Sequence, residues 1–170
     1  MRILNLIRHA KSSHDLDLED DFDRPLTDRG RADAKSLDDH LNAYNFPKHT
    51  IICSNSIRTR ETYNCLECSL NSNSDVFYLD ELYLANYREI IKLIKVYKKS
   101  NMLTVIGHNT GISDLLSFIL GDFKLPDMAT SSIAQIEVPK KNTLIEEGSG
   151  KVVLYLRSKE NKIKNLLKAT

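Results

Sequence analysis

Leu4-Asn5-Leu6-Ile7-Arg8-His9-Ala10 is the stretch from which the fold is read. A run of leucine and isoleucine that stops abruptly at an arginine and a histidine has the pattern of a buried strand. In an open α/β sheet, ligands bind outside the carboxyl ends of the strands. The pattern therefore puts a fixed cation, Arg8, beside a titratable and nucleophilic side chain, His9, at the mouth of a sheet. A structural histidine satisfied within the strand is the alternative, and the rest of the chain has to separate the two.

Downstream, the pattern repeats. Thr27 or Asp28 is placed to cap a helix running from about Arg31 to Tyr44, with Ala34, Leu37 and Leu41 on its buried stripe. Thr50 to Ser54 reads as a second strand, and a helix from about Ile57 to Leu70 follows it. Asp75 to Leu79 is a third strand, followed by Asp80-Glu81 and a helix from about Tyr87 to Lys98. Met102 to Ile106 is a fourth, ending in Gly107-His108-Asn109-Thr110-Gly111, whose glycines would allow backbone close to a ligand. A helix from about Ile112 to Leu120 and two last strands, Ser132 to Val138 and Val152 to Leu156, complete the reading. The basic final dozen residues suggest a helix packing Leu166 and Leu167. Strand alternating with helix predicts a three-layer α/β/α sandwich on a mainly parallel sheet. With no repeat or linker in view, residues 1–170 are expected to form a single domain.

The composition, 41% hydrophobic and 28% charged over 170 residues, is that of a soluble globular protein. A balance of 24 basic against 23 acidic residues, net +1, provides no field to attract nucleic acid or an anionic membrane. No segment reaches the about 18 apolar residues that a spanning helix needs, and Arg8 interrupts any leader-like core, so a cytoplasmic location is expected. Cys53, Cys65 and Cys68 are an odd set that suits free thiols. Cys65 and Cys68 have the spacing of a redox or zinc half-site, but no second pair accompanies them, so no metal is expected. The acidic stretch 15–23 lacks the glycine and ligand spacing of a calcium loop and reads as solvated.

Parallel strands bring Arg8, His9, Ser54 and His108 to one sheet edge, with Arg58 in the first turn of the helix after the second strand. An arginine there opposes the helix dipole, which is easier to understand beside a bound anion. Two arginines, two histidines and a helix N-terminus at one edge suit a small dianion such as a phosphoryl group.

At these residues the chain resembles the histidine phosphatase superfamily, also called phosphoglycerate mutase-like. Arg8-His9-Ala10 is similar to its Arg-His-Gly signature and Leu26-Thr27-x-x-Gly30 to its helix-entry motif. Ser54-x-x-x-Arg58-x-x-x-Thr62 and Gly107-His108 are similar to its later signatures. Arg8 to Ser13 together with Asp23-Arg24-Pro25-Leu26 resembles the compact SixA-type branch of phosphohistidine phosphatases. Ala10 stands where glycine is commoner, a harmless change unless positive φ is required there.

The resemblance implies a compact fold without a cap, and His9 as the nucleophile that forms a phosphohistidine intermediate. It implies Arg8, Arg58, His108, Ser54 and Asn109 as phosphate-binding groups, and no cofactor. His9 must be neutral to attack, so a hydrogen bond has to fix its tautomer. Glu81 is the nearest carboxylate for a general acid, with Asp28 and Asp15 as weaker alternatives. A weak acid matters less for a phosphoramidate, whose nitrogen accepts a proton near neutral pH. With an open site, this favours a phosphorylated protein, for instance a histidine phosphotransfer domain, whose choice the acidic 15–23 loop would set. The alternative is a small or nonspecific phosphate ester; a non-catalytic phosphoprotein-binding module ranks below both, and a mutase last, because an open site leaks its phosphoenzyme to water.

Overall fold

The computed structural model describes residues 2–13, 20–139 and 145–158. The expected C-terminal helix, Asp15 and most of the acidic loop lie outside them. The chain builds β1 (Ile3–Arg8), α1 (Asp28–Leu41), β2 (Thr50–Ser54), α2 (Ile57–Leu66), β3 (Asp75–Leu79), α3 (Tyr87–Tyr97), β4 (Met102–Gly107), α4 (Gly111–Leu120), β5 (Ser132–Glu137) and β6 (Lys151–Arg157). Short 3-10 turns lie at Asp21–Asp23, Asn42–Tyr44 and Asp80–Leu82.

One six-stranded sheet has the order β3-β2-β4-β1-β5-β6. β1 pairs with β4, β4 with β2 and β2 with β3 in parallel, while β5 and β6 add an antiparallel edge. The mainly parallel sandwich expected from the alternation is therefore the architecture. Its consequence is local: β2, β4 and β1 are adjacent and end on the same side, so Ser54, His108 and Arg8–His9 leave neighbouring strands at one edge.

Each face of the sheet has its own core, as period-two alternation requires. Leu4, Leu6, Leu103 and Val105 pack with Ile90, Ile94, Ile112 and Leu115 of α3 and α4. Ile7, Ile51, Cys53 and Ile106 pack with Leu37, Leu41, Tyr63 and Leu66 of α1 and α2. Asn5, in the middle of β1, is fully buried yet satisfied. It donates to Thr104 Oγ1 at 3.0 Å and accepts from Gln135 at 3.0 Å, and Thr104 reaches His49 Nε2 at 2.8 Å.

α1 begins three residues before the expected Arg31, because Thr27 is its cap: the Thr27 hydroxyl accepts from the Gly30 N–H at 2.9 Å. α2 stops at Leu66 rather than Leu70, and the chain leaves through a turn to Asn71 at φ 72°. Gly111 serves packing rather than a ligand's approach. A Cβ there would stand 1.9 Å from the Ala85 carbonyl oxygen, so only glycine lets α4 start against the 83–86 segment. A Cβ on Gly107 would likewise meet the Ile112 side chain at 3.2 Å. Ala10 is absent from the positive-φ residues and packs with Leu26 and Ala34, so its methyl group is accommodated.

Candidate active site

His9 follows directly on β1 and continues its pairing, with its N–H donating to the Gly107 carbonyl at 3.2 Å. Its Nδ1 lies 2.7 Å from the Ala10 carbonyl oxygen. A carbonyl only accepts, so the ring proton is on Nδ1 and the Nε2 lone pair is free. Burial, and behind it the Arg58, Arg8 and Arg24 guanidinium groups, push the pKa down to about 4 from 6.5, against the opposing pull of the Ala10 carbonyl. His9 is thus a neutral base with a defined tautomer, the state that nucleophilic attack needs.

The His108 ring is centred 5.1 Å from that of His9, from the neighbouring strand end. It is 2% exposed, and burial, then the charges around it, push its pKa down to about 3. Its Nε2 is 2.9 Å from Ser54 Oγ. Taking the Ser54 hydroxyl as donor leaves the His108 proton on Nδ1, a buried N–H without a partner among the described residues. Arg8 Nε is a second such donor. Orphaned buried donors cost about 1–3 kcal/mol each, and an oxyanion beside His9 would offset that cost.

The two arginines are held differently. Arg8 donates from Nη1 to the Met128 carbonyl at 2.6 Å. Arg58, buried at the start of α2 at 3% exposure, donates from Nη2 to Asp21 Oδ2 at 2.9 Å and from Nη1 to the Asp21 carbonyl. The anion that explains its place in the helix is therefore, in this structure, a carboxylate of the chain itself. Asp21 also accepts from Arg24 and, at 2.6 Å, from the Tyr83 hydroxyl. Hydrogen bonds from Tyr83, Arg24 and Arg58 hold its pKa far below the usual carboxylate range. Tyr83 closes the group, edge-on to His108 at 5.5 Å and under the Arg58 guanidinium at 5.6 Å.

Arg8, His9, Arg58 and His108 are thus gathered at one edge. Ser54 and Asn109, expected to bind phosphate, have other partners. Ser54 is fully buried within the sheet, where its hydroxyl reaches His108 instead. Asn109 accepts from Ser113 at 2.8 Å and donates to the Met128 carbonyl at 3.3 Å, bracing the segment that anchors Arg8. Glu81 is exposed in the Asp80–Leu82 turn, where Leu82 is the buried anchor, and it is Tyr83 that this turn delivers to the pair. Asp28 is exposed in the first turn of α1, where a carboxylate suits the helix dipole.

Sequence alone does not single out Asp21, Arg24 and Tyr83 as site residues. Arg24 stands within the Asp23-Arg24-Pro25-Leu26 motif, and its position near His9 depends on tertiary ties. Its Nε donates to the Ser13 carbonyl at 2.6 Å and its Nη2 to Ser12 Oγ at 2.9 Å. Glu61 of α2 completes the anchoring, accepting from the Leu26 N–H at 2.7 Å and from Arg31 at 2.7 Å.

Comparison with known proteins agrees with this geometry. The family model of the histidine phosphatase superfamily (branch 1) matches residues 4–90. A chloroplastic protein of Arabidopsis thaliana with no assigned function is 30% identical over 131 residues, 71% of this chain. The chain spans 60% of the length of that relative. Among solved structures, a protein of Agrobacterium tumefaciens classed as a SixA phosphohistidine phosphatase superposes with a TM-score of 0.77 at 23% identity, covering 91% of this chain and 97% of that one. The protein histidine phosphatase SixA complexed with tungstate gives 0.76 at 19% identity, covering 92% and 97%. A mycobacterial glucosyl-3-phosphoglycerate phosphatase gives 0.61 at 13% identity, covering 89% and 97%. The fold is the compact, SixA-type form of the phosphoglycerate mutase-like fold, and with more than half of its length matched by the family model the chain belongs to the histidine phosphatase superfamily (branch 1).

Proposed function

We propose that the protein is a phosphatase that hydrolyses phosphohistidine in proteins through a phosphoryl group carried on His9. The observation that carries this reading is the state of His9: neutral, with its proton held on Nδ1 by the Ala10 carbonyl and Nε2 left free, beside His108 at 5.1 Å. The Nε2 lone pair attacks phosphorus, and the bond to the leaving group breaks with its electron pair. Water then attacks the phosphohistidine, releasing inorganic phosphate and restoring the imidazole. Arg8 and Arg58, with His108 Nδ1–H, hold the equatorial oxygens as charge shifts between them.

Two features support a protein substrate. Residues 80–101, between β3 and β4, are taken up by a 3-10 turn and α3, and α3 packs Ile90, Ile91 and Ile94 into the core, with no capping subdomain in this connection. Leu84, next to Tyr83, is 56% exposed and offers an apolar contact at the rim. The SixA likenesses, one of them bound to the oxyanion tungstate, point the same way. No helix among the described residues is long and apolar enough to cross a membrane, and the three cysteines are free, as suits the cytoplasm.

The test is a set of kcat/KM values for phosphohistidine in a carrier protein or peptide and for p-nitrophenyl phosphate. Phosphohistidine is expected to be preferred. His9→Ala should abolish both activities along with an acid-labile phosphoenzyme, and Arg8→Ala should cost at least about a hundredfold. A preference for the ester would assign the protein as a phosphomonoesterase, and no turnover of either would leave a binding module.

A further inference from the structure

Among the described residues, Asp21 is the carboxylate hydrogen-bonded to the arginines of the site, and it is ionised. Its partners are all donors: Arg24 on Oδ1, and Arg58 and Tyr83 on Oδ2. A carboxylate so held cannot supply a proton to a departing alkoxide, so it is not the missing general acid. Two lone pairs per oxygen leave Oδ1 with one acceptor site unused. The side chain is 43% exposed, so Asp21 is accessible to a ligand. Phe22 and Tyr83 meet edge-on at 4.9 Å, and the Tyr83 hydroxyl reaches Asp21 Oδ2, providing aromatic surface next to the carboxylate. Arg8, Arg24 and Arg58 outnumber Asp21, so these four groups together carry two positive charges, which suits a phosphoryl dianion. The carboxylate then remains as a partner for a cation carried by the rest of the substrate.

We propose that Asp21 determines leaving-group specificity: its free Oδ1 lone pair accepts the N–H of a phosphorylated imidazole protonated on its second ring nitrogen, with Phe22 and Tyr83 beside that ring. This rests on the phosphohistidine reading above and names the residue that selects for it. The step balances without an acid. As His9 Nε2 bonds to phosphorus, the P–N bond breaks and its electron pair stays on the leaving nitrogen. The imidazolium thereby becomes a neutral imidazole that keeps its proton on the other nitrogen. Asp21 favours the protonated, reactive form of the substrate in the site, whereas a phosphate ester has no such N–H to offer.

The experiment compares wild-type protein with Asp21→Asn, a substitution of equal shape at an exposed position. Values of kcat/KM are measured from pH 6 to 9 for a phosphohistidine peptide and for p-nitrophenyl phosphate, the second also showing that the variant is folded. At pH 8 the phosphohistidine-to-ester ratio is expected to fall about tenfold or more, the scale of one charge-assisted hydrogen bond. The alkaline limb of kcat for phosphohistidine, read at saturating substrate so that it reports the bound form, is expected to move to lower pH. Equal loss on both substrates with an unmoved limb would make Asp21 only a brace for Arg58 and overturn the proposal. An equal gain on both would make it a competitor for Arg58 and overturn it too. If wild-type protein hydrolyses the ester but not phosphohistidine, the substrate reading itself fails, and that is seen before any variant is made.

Discussion

At the scale of single residues, the site works by holding two imidazoles uncharged among guanidinium groups. A protonated His9 would lose its nucleophile and face three cations; the low-dielectric surroundings and those cations both favour the neutral form. The consequence is measurable in the free protein. An NMR titration of the histidine ring resonances should place the His9 midpoint near 4 and that of His108 near 3, well below the ordinary 6.5. A His9 midpoint near 6.5 would mean that the ring is solvated and that the Ala10 hydrogen bond does not persist. Legibility at this scale was uneven. Arg8, His9, Arg58 and His108 could be picked out because each stands at a strand end or in a first helical turn, positions that sequence marks directly. Asp21 and Tyr83 could not, because nothing local distinguishes them from other acidic and aromatic residues nearby.

At the scale of elements, the site depends on where strands stop and helices start. β1 and β4 run in parallel register, Arg8 opposite Gly107, so His9 and His108 follow side by side. α4 must then begin at once, and it does so against the 83–86 segment that also carries Tyr83. Gly111→Ala should lower stability by about 1–3 kcal/mol or more, since the new methyl would lie 1.9 Å from the Ala85 carbonyl oxygen. Urea unfolding would check it; an unchanged midpoint would show that the α4 start yields freely. The same substitution should weaken activity as well as stability, because relief of the clash displaces the Tyr83 side of the site. Element types were legible from hydrophobic periodicity, and strand bounds were nearly so. Helix ends were less legible: the start of α1 is set by the Thr27 hydroxyl, and the end of α2 by a turn to a left-handed Asn71 that helical periodicity does not register.

At the scale of the whole molecule, three of the described histidines carry depressed pKa values: His9, His108 and His49, the last mainly through burial beside Thr104. Each binds a proton less readily folded than unfolded, where the value is near 6.5. Their contribution to stability is therefore complete above about 6.5 and is lost as pH falls from there toward the folded values of about 4 and about 3. The urea midpoint should be flat from pH 8 to 7 and decline below 6.5; a midpoint that holds steady to pH 5 would count against all three being buried neutral.

Sequence by itself determined the fold class and which strand ends bear chemistry, because burial imposes periodicities of two and about 3.6 residues and polar interruptions of them stand out locally. Tertiary structure alone decided the state and surroundings of the site. The hold of Ser54 on His108 rather than on a ligand, and the arrival of Asp21 and Tyr83 at Arg58, are contacts between residues far apart in the chain. No local pattern encodes them, since they exist only once the sheet order has set β2, β4 and β1 side by side.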